Sequence, residues 1–288
     1  MSKKNHLVIV SQESFENKLL SKILQSYQLT FYDDIHKAKE GILKHPPHLV
    51  IIDSCFEASA FDLCRDIVAN QITSTIPVIF MFNSMESENI SKMFHFGGSD
   101  YINKPFNQYE IISRIHIHIN YARQQKELEF LAHYDPMTQT YNRRTFFKKA
   151  EQALKYSVTN KVPLQLIIFH LSTLYEINDG YGHFTGDKVL QEFSQILKDI
   201  VGAKGIIGRL NGDNFTVLLS NQPANTIEAF AFSIEERTQM ISLDHTQPVK
   251  IEHAIAKLVH ANESIDDLFL EASRQLEKCK VARTTRNY

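Results

Sequence analysis

The run His48-Leu49-Val50-Ile51-Ile52-Asp53 decides the architecture of the first part of the chain. Four successive leucine or β-branched residues, with no polar residue between them, mark a strand buried on both faces. That is the environment of a parallel sheet covered by helices on each side. Leu7–Val10 and Pro77–Phe82 read the same way, and Leu29–Tyr32 reads as a weaker strand. Phe15–Tyr27, Ile35–Lys44 and Glu86–Phe96 read as the intervening helices. This alternation predicts an α/β, doubly wound parallel sheet. In such sheets ligands and chemistry collect at the carboxyl ends of the strands, which is where Asp53 stands.

A long helix is predicted from Gln108 to Leu131, with Ile112, Ile115, Ile119 and Ala122 at helical spacing and no Gly or Pro. It reads either as a rigid connector or, in its first half, as a helix packed on the first domain. From Asp135 the pattern changes. Arg143–Tyr156 and Gly186–Ile200 are predicted helices flanking a strand at Leu164–Leu171. Ile206–Leu210 and Phe215–Leu219 surround Asn211-Gly212, a strong hairpin signal. Val249–Leu258 adds a strand and Ile265–Lys280 a last helix. Hairpin-paired strands packed with helices predict an α+β domain with a mainly antiparallel sheet.

The 288 residues suffice for two ordinary domains, and 43% hydrophobic with 22% charged residues is the balance of a globular chain. A formal charge of -2 offers no basic footprint, so no nucleic-acid partner is expected. No run reaches the length of a membrane span, so no membrane insertion is expected. Three cysteines without a CxxC pair fit a reducing compartment, and the expected localisation is cytoplasmic. Among thirteen histidines there is no HExxH and no Cys/His cluster, and His116 and His118 are expected on different sides of their helix.

Gly97-Gly98-Ser99-Asp100-Tyr101-Ile102-Asn103-Lys104-Pro105-Phe106, taken with Leu7–Val10 and Asp53, resembles the receiver domain of response regulators. The resemblance implies a five-stranded, flavodoxin-like domain with Asp53 as phosphoacceptor, Lys104 as the cation on the phosphoryl oxygens and a cis Lys104–Pro105 bond. A carboxylate attacking phosphorus needs a Mg²⁺ held by acids to offset charge repulsion. Receivers keep an acidic pair after the first strand. Here Ser11 and Gln12 stand there, which leaves Asp53 and Glu13 as the metal candidates. Phe82, followed by Asn83 and Ser84, takes the place of the expected hydroxyl residue. The alternative is that Asp53 only caps the turn that follows it.

Three further blocks resemble the diguanylate cyclase, or GGDEF, domain over about residues 130–283. They are Asp135-Pro136-Met137-Thr138…Asn142-Arg143-Arg144, Ile177-Asn178-Asp179-Gly180-Tyr181-Gly182-His183 with Gly186-Asp187, and Arg209-Leu210-Asn211-Gly212-Asp213-Asn214-Phe215. The family condenses two GTP into cyclic di-GMP across two facing domains, with Mg²⁺ clamped by carboxylates. The resemblance implies that Asn178 and Asp187 read the guanine edge, that Lys280 contacts the nucleotide, and that Asp213 is a catalytic metal ligand. The departures fall on the reaction path. His170 and Ser172 replace metal-site acids, Tyr175 replaces a phosphate-binding lysine, and Asn211 and Asn214 replace a glycine and a glutamate. Thr284 stands where a phosphate-binding arginine is expected, and Glu277 where a tyrosine is. Gly202-Ala203-Lys204-Gly205 lacks the Arg-x-x-Asp product-inhibition motif. The bland alternative is that Asn178-Asp179-Gly180 and Asn211-Gly212 are only turns.

The expected organisation is a receiver-like domain over 1–120, a helical connector over 121–134 and a GGDEF-like domain over 135–288. Two functions follow: a catalytically degenerate regulator acting through nucleotide sensing or protein contacts, or a phosphorylation-regulated active cyclase. The expected partners are a second copy, through the receiver and connector helix, and a sensor kinase or other signalling protein. GTP is the expected ligand, and Mg²⁺ has a depleted set of ligands in both domains.

Overall fold

The computed structural model describes residues 4–83, 87–223, 226–241 and 248–284, the side chains of 87 and 279–284 excepted. The chain divides into two compact units, Met1–Leu128 and Glu129–Tyr288.

The first unit runs β1 (His6–Val10), α1 (Ser14–Ile23), β2 (Gln28–Tyr32), α2 (Ile35–Lys44), β3 (Leu49–Asp53), α3 (Ala58–Ala69), β4 (Val78–Phe82), α4 (Ser87–His95), β5 (Asp100–Asn103) and α5 (Gln108–His133). All five strands are parallel, in the order β2-β1-β3-β4-β5, as the alternation predicts. Every residue of β3 is buried. Val50 and Ile52 face one core with Leu63 and Ile67 of α3, while Leu49 and Ile51 face the other with Leu20 and Ile111. That two-sided burial explains the unbroken apolar run. The Lys104–Pro105 peptide is cis, as the receiver resemblance implies.

The second unit runs β6 (Tyr141–Asn142), α6 (Arg143–Asn160), β7 (Leu164–Leu171), α7 (Leu174–Tyr181), α8 (His183–Val201), β8 (Gly205–Asn211), β9 (Asn214–Ser220), α9 (Thr226–Gln239), β10 (Ile251–Lys257) and α10 (Ile265–Thr284). The sheet order is β10-β7-β9-β8-β6, antiparallel throughout except for the short β6–β8 pair. One face packs on α8 and α9, the other on α6 and α10. Phe146 of α6 lies directly on Gly208, where a Cβ would collide with its ring, so α6 approaches β8 closely.

Two predictions about local structure need correction. Asn178-Asp179-Gly180 is no turn: all three residues lie inside α7, whose buried Leu174 and Ile177 anchor it to the core. The helices α3, α7 and α9 lie where the sequence reading assigns no element.

Candidate functional site

Asp53 ends β3 with no exposed surface. Its Oδ1 accepts the backbone N–H of Cys55 at 3.0 Å, and its Oδ2 accepts the Ser11 hydroxyl at 3.3 Å and Lys104 Nζ at 2.7 Å. Asp53 therefore caps the turn after β3 and holds the lysine at once. Lys104 is itself 9% exposed and bridges to a second carboxylate, Glu16 Oε2, at 2.7 Å. Burial alone would lower the Lys104 pKa, but the hydrogen bonds it donates to Asp53 and Glu16, with the charge of both, outweigh it and hold that pKa above the ordinary lysine value. Burial pushes the Glu16 pKa up, and Lys104 only partly offsets this.

The sequence reading places Glu13 here and misses Glu16. Glu13 is exposed, and its backbone N–H, not its carboxylate, reaches Ser11 Oγ at 3.2 Å. The missed signal is helical: Glu16, Leu20 and Leu24 follow at four-residue steps, and both leucines are fully buried, so Glu16 points inward. Phe82 occupies the end of β4, stacked on Phe80 at 5.9 Å and tilted against Tyr101 at 6.3 Å, so the expected hydroxyl position is filled by a ring in the core. Ser84 lies outside the described residues.

In the second unit, β7 sets the register. His170 lies opposite Asn214 on β9 and opposite Glu252 on β10, so these three side chains share one end of one sheet face. His170 Nδ1 is 3.4 Å from Asp213 Oδ1. Asn214 Nδ2 donates to the same Asp213 oxygen at 2.8 Å and to Asn211 Oδ1 at 2.7 Å, so the hairpin loop is closed by its own side chains. Gly212, at φ +26, sits in the turn, and its carbonyl accepts Arg209 Nε at 3.0 Å and Nη2 at 2.7 Å. Arg209 Nη1 reaches back to Asp135 Oδ1 at 3.1 Å. Burial works to raise the Asp135 pKa, yet the Thr138 hydrogen bonds and the Arg209 charge hold it below the ordinary value. The block at 135–138 is thus a clamp on the hairpin loop.

Ser172 donates its hydroxyl to the Lys250 carbonyl at 3.2 Å. Asn178 on α7 and Asp187 on α8 are half-buried, and among the described residues neither side chain forms a hydrogen bond. The chain turns back into α8 after Gly182, at φ +83, and Gly186, the residue before Asp187, lies against the Asn178 amide: a Cβ placed there would collide with it. The side chains of Lys280 and Thr284 lie outside the described residues.

Magnesium takes oxygen ligands in near-octahedral geometry. Among the described residues no three His, Cys, Asp or Glu side chains converge on a metal position. In the first unit Lys104 stands against Asp53, and in the second an imidazole and an amide flank Asp213. These donor sets do not fit a Mg²⁺ centre.

A doubly wound parallel sheet with a strand-end aspartate and a cis Lys–Pro, followed by an antiparallel α+β unit with a hairpin loop beside the β7 end, defines a receiver joined to a cyclase-type domain. Residues 132–286 match the family model described as "Diguanylate cyclase, GGDEF domain", and residues 7–116 match "Response regulator receiver domain". The chain belongs to the GGDEF family and carries a receiver domain ahead of it. The response regulator PleD of Caulobacter vibrioides is 25% identical over 244 residues, covering 81% of this chain and 52% of PleD. Diguanylate cyclase DgcM of Escherichia coli K12 is 28% identical over 158 residues, covering 55% of this chain and 38% of DgcM. The chain thus spans about half or less of the length of these curated relatives. Among solved structures, the coiled coil and GGDEF domain of DgcB from Caulobacter crescentus, in complex with c-di-GMP, superposes with TM-score 0.53 at 16% identity. It covers 60% of this chain and 94% of that one, and it supports the fold. None of the helices among the described residues is long and apolar enough to cross a membrane.

Two outcomes test the first site. Lys104→Met leaves two carboxylates facing each other in a buried setting. It is expected to lower the stability of the receiver unit by about 3–5 kcal/mol in urea denaturation, and a loss below about 1 kcal/mol would contradict the buried pairing. Glu16 supplies the pH dependence. Its folded pKa lies above the ordinary 4.5, so the folded state holds this proton more tightly than the unfolded chain. The associated stability is present below the unfolded pKa and is lost as pH rises through the folded one. Glu16→Gln is expected to flatten the decline of the urea midpoint above about pH 4.5; an unchanged slope would remove Glu16 from the site.

Proposed function

We propose that the chain is a catalytically degenerate member of the cyclic di-GMP signalling proteins. In this reading the GGDEF-like unit senses a guanine nucleotide, and the receiver carries input from a sensor kinase or another signalling protein. The observation that supports the reading best is the β7–β9 register, which sets His170 beside Asn214 and leaves Asp213 to an imidazole and an amide. A 3′-hydroxyl attacking an α-phosphate needs concentrated positive charge at that point. The guanine side is better preserved: Asn178 supplies both amide donors and an acceptor, Asp187 supplies acceptors, and neither is spent within the described residues. In the receiver, the Lys104 bridge between Asp53 and Glu16 takes up the charge that a phosphoryl group would need, so the output depends on contacts more than on metal-assisted phosphorylation.

Calorimetry with GTP and Mg²⁺, followed by analysis of the same sample for cyclic di-GMP, tests this. Binding without product is expected. Product that disappears in Asp213→Ala would establish the alternative, an active cyclase regulated through Asp53.

The same reading includes a homodimer through the receiver and α5. Buried Ile111, Ile115 and Ile119 hold one face of this helix to the receiver. Ile117, Tyr121, Gln124 and Leu128 leave a second, exposed stripe at steps of four, three and four residues. That is the spacing of a coiled-coil seam, for which the same helix of a second copy is the natural partner. Leu128→Glu is expected to turn a dimer into a monomer in sedimentation velocity without altering the receiver's thermal transition. A monomeric wild type, or a variant that stays dimeric, would refute the seam.

A further inference from the structure

Along α7 and the first turns of α8, the residues flanking Asn178 and Asp187 are rich in rings. Tyr175 precedes Asn178 by three residues on α7, and Phe184 precedes Asp187 by three residues on α8. Residues three apart lie on one helix face, so each polar group has a ring one turn toward its helix N-terminus. Both rings face solvent, Tyr175 at 79% and Phe184 at 74% exposure. Neither contributes to the core that anchors these helices, where Leu174, Ile177, Val189 and Leu190 do that work. Large exposed rings beside unspent hydrogen-bonding groups make a surface suited to a flat, polar-edged molecule.

Charge points the same way. From Leu174 to Lys188 there are three carboxylates, Glu176, Asp179 and Asp187, and the one lysine or arginine is Lys188. Lys188 Nζ already lies 4.7 Å from the centroid of the Phe184 ring, a cation–π contact. Where a lysine would meet phosphates, Tyr175 offers a ring with no charge. A triphosphate brings a dense negative charge into this field, whereas a nucleobase brings none.

We propose that Tyr175 and Phe184 are stacking residues, and that the ligand of this pocket is recognised as a guanine base whose phosphates add no affinity. The class it takes is guanosine and its monophosphate as readily as GTP. The inference rests on the reading of Asn178 and Asp187 as guanine-binding groups. In that arrangement the amide of Asn178 and the carboxylate of Asp187 face the base edge, and Tyr175 covers a ring face.

Calorimetry of the full chain with guanosine, GMP, GTP and, as a control, AMP tests it. The three guanine compounds are expected to bind within about threefold of one another, with AMP far weaker. Tyr175→Ala is expected to weaken all three by about fivefold to 100-fold, the range of one lost stacking contact, with an unchanged circular dichroism spectrum because the residue is exposed. Tyr175→Lys is expected to restore a preference for GTP. If GTP binds at least about 30-fold more tightly than GMP and Tyr175→Ala changes nothing, the stacking inference is overturned while the guanine pocket stands. If no guanine compound binds, or if AMP binds equally well, the guanine pocket itself fails, and the stacking proposal with it.

Discussion

The antiparallel register of β7 between β10 and β9 constrains everything the second unit presents at its edge. Leu164, Leu166 and Ile168 point into the core under α6 and α10, so residue 170, next on the same side, must emerge at the rim of that face. There it meets position 214 on one side and position 252 on the other. A one-residue slip would carry Leu164, Leu166 and Ile168 into the opposite core under α8 and α9 and bring Ile167 and Phe169 to the α6 and α10 side, so the packing of the sheet and the chemistry of its end are a single decision. With His, Asn and Glu at the three positions, the edge takes a composition unlike a cage of carboxylates around Asp213.

The two units reach a similar arrangement by different means. In each, an aspartate at the end of a strand or hairpin remains, and a side-chain nitrogen stands against it: Lys104 on Asp53, and His170 near Asp213. The first pair is deeply buried: Asp53 accepts from Ser11, Cys55 and Lys104, and Lys104 lies 2.7 Å from Glu16 as well. The second is partly exposed and longer, and the Asn214 amide adds a neutral contact. In the first unit the carboxylate charge of Asp53 is thus met by a cation from the chain itself.

Much of this was legible in the sequence, and the failures have physical causes. The parallel sheet followed from unbroken apolar runs such as Leu49–Ile52, and the β8–β9 hairpin from Asn211-Gly212. The inward direction of Glu16 was available in its spacing to Leu20 and Leu24, but an acid search confined to the strand-end loop passes over a residue one turn into the helix. Asn178-Asp179-Gly180 carries turn-forming residues, yet Leu174 and Ile177 bury enough apolar surface to keep the segment helical, a case of packing overriding propensity. The α3 segment was readable from Ala60, Leu63, Cys64 and Ile67, which recur at helical spacing. The link from Asp135 to the hairpin loop was not, because residues 74 apart in sequence meet only through the fold.

That link has a consequence for where the second unit can be cut. Asp135 and Thr138 precede its first strand, yet Asp135 holds the arginine that holds the loop, Thr138 donates to Asp135, and the Thr138 carbonyl also receives Lys198 and Ser194 from α8. A fragment beginning at β6 would contain every strand of the sheet and still lack the brace for its most distinctive turn. The shortest piece of the second unit that keeps its hairpin brace therefore starts upstream of the sheet, at or before Asp135.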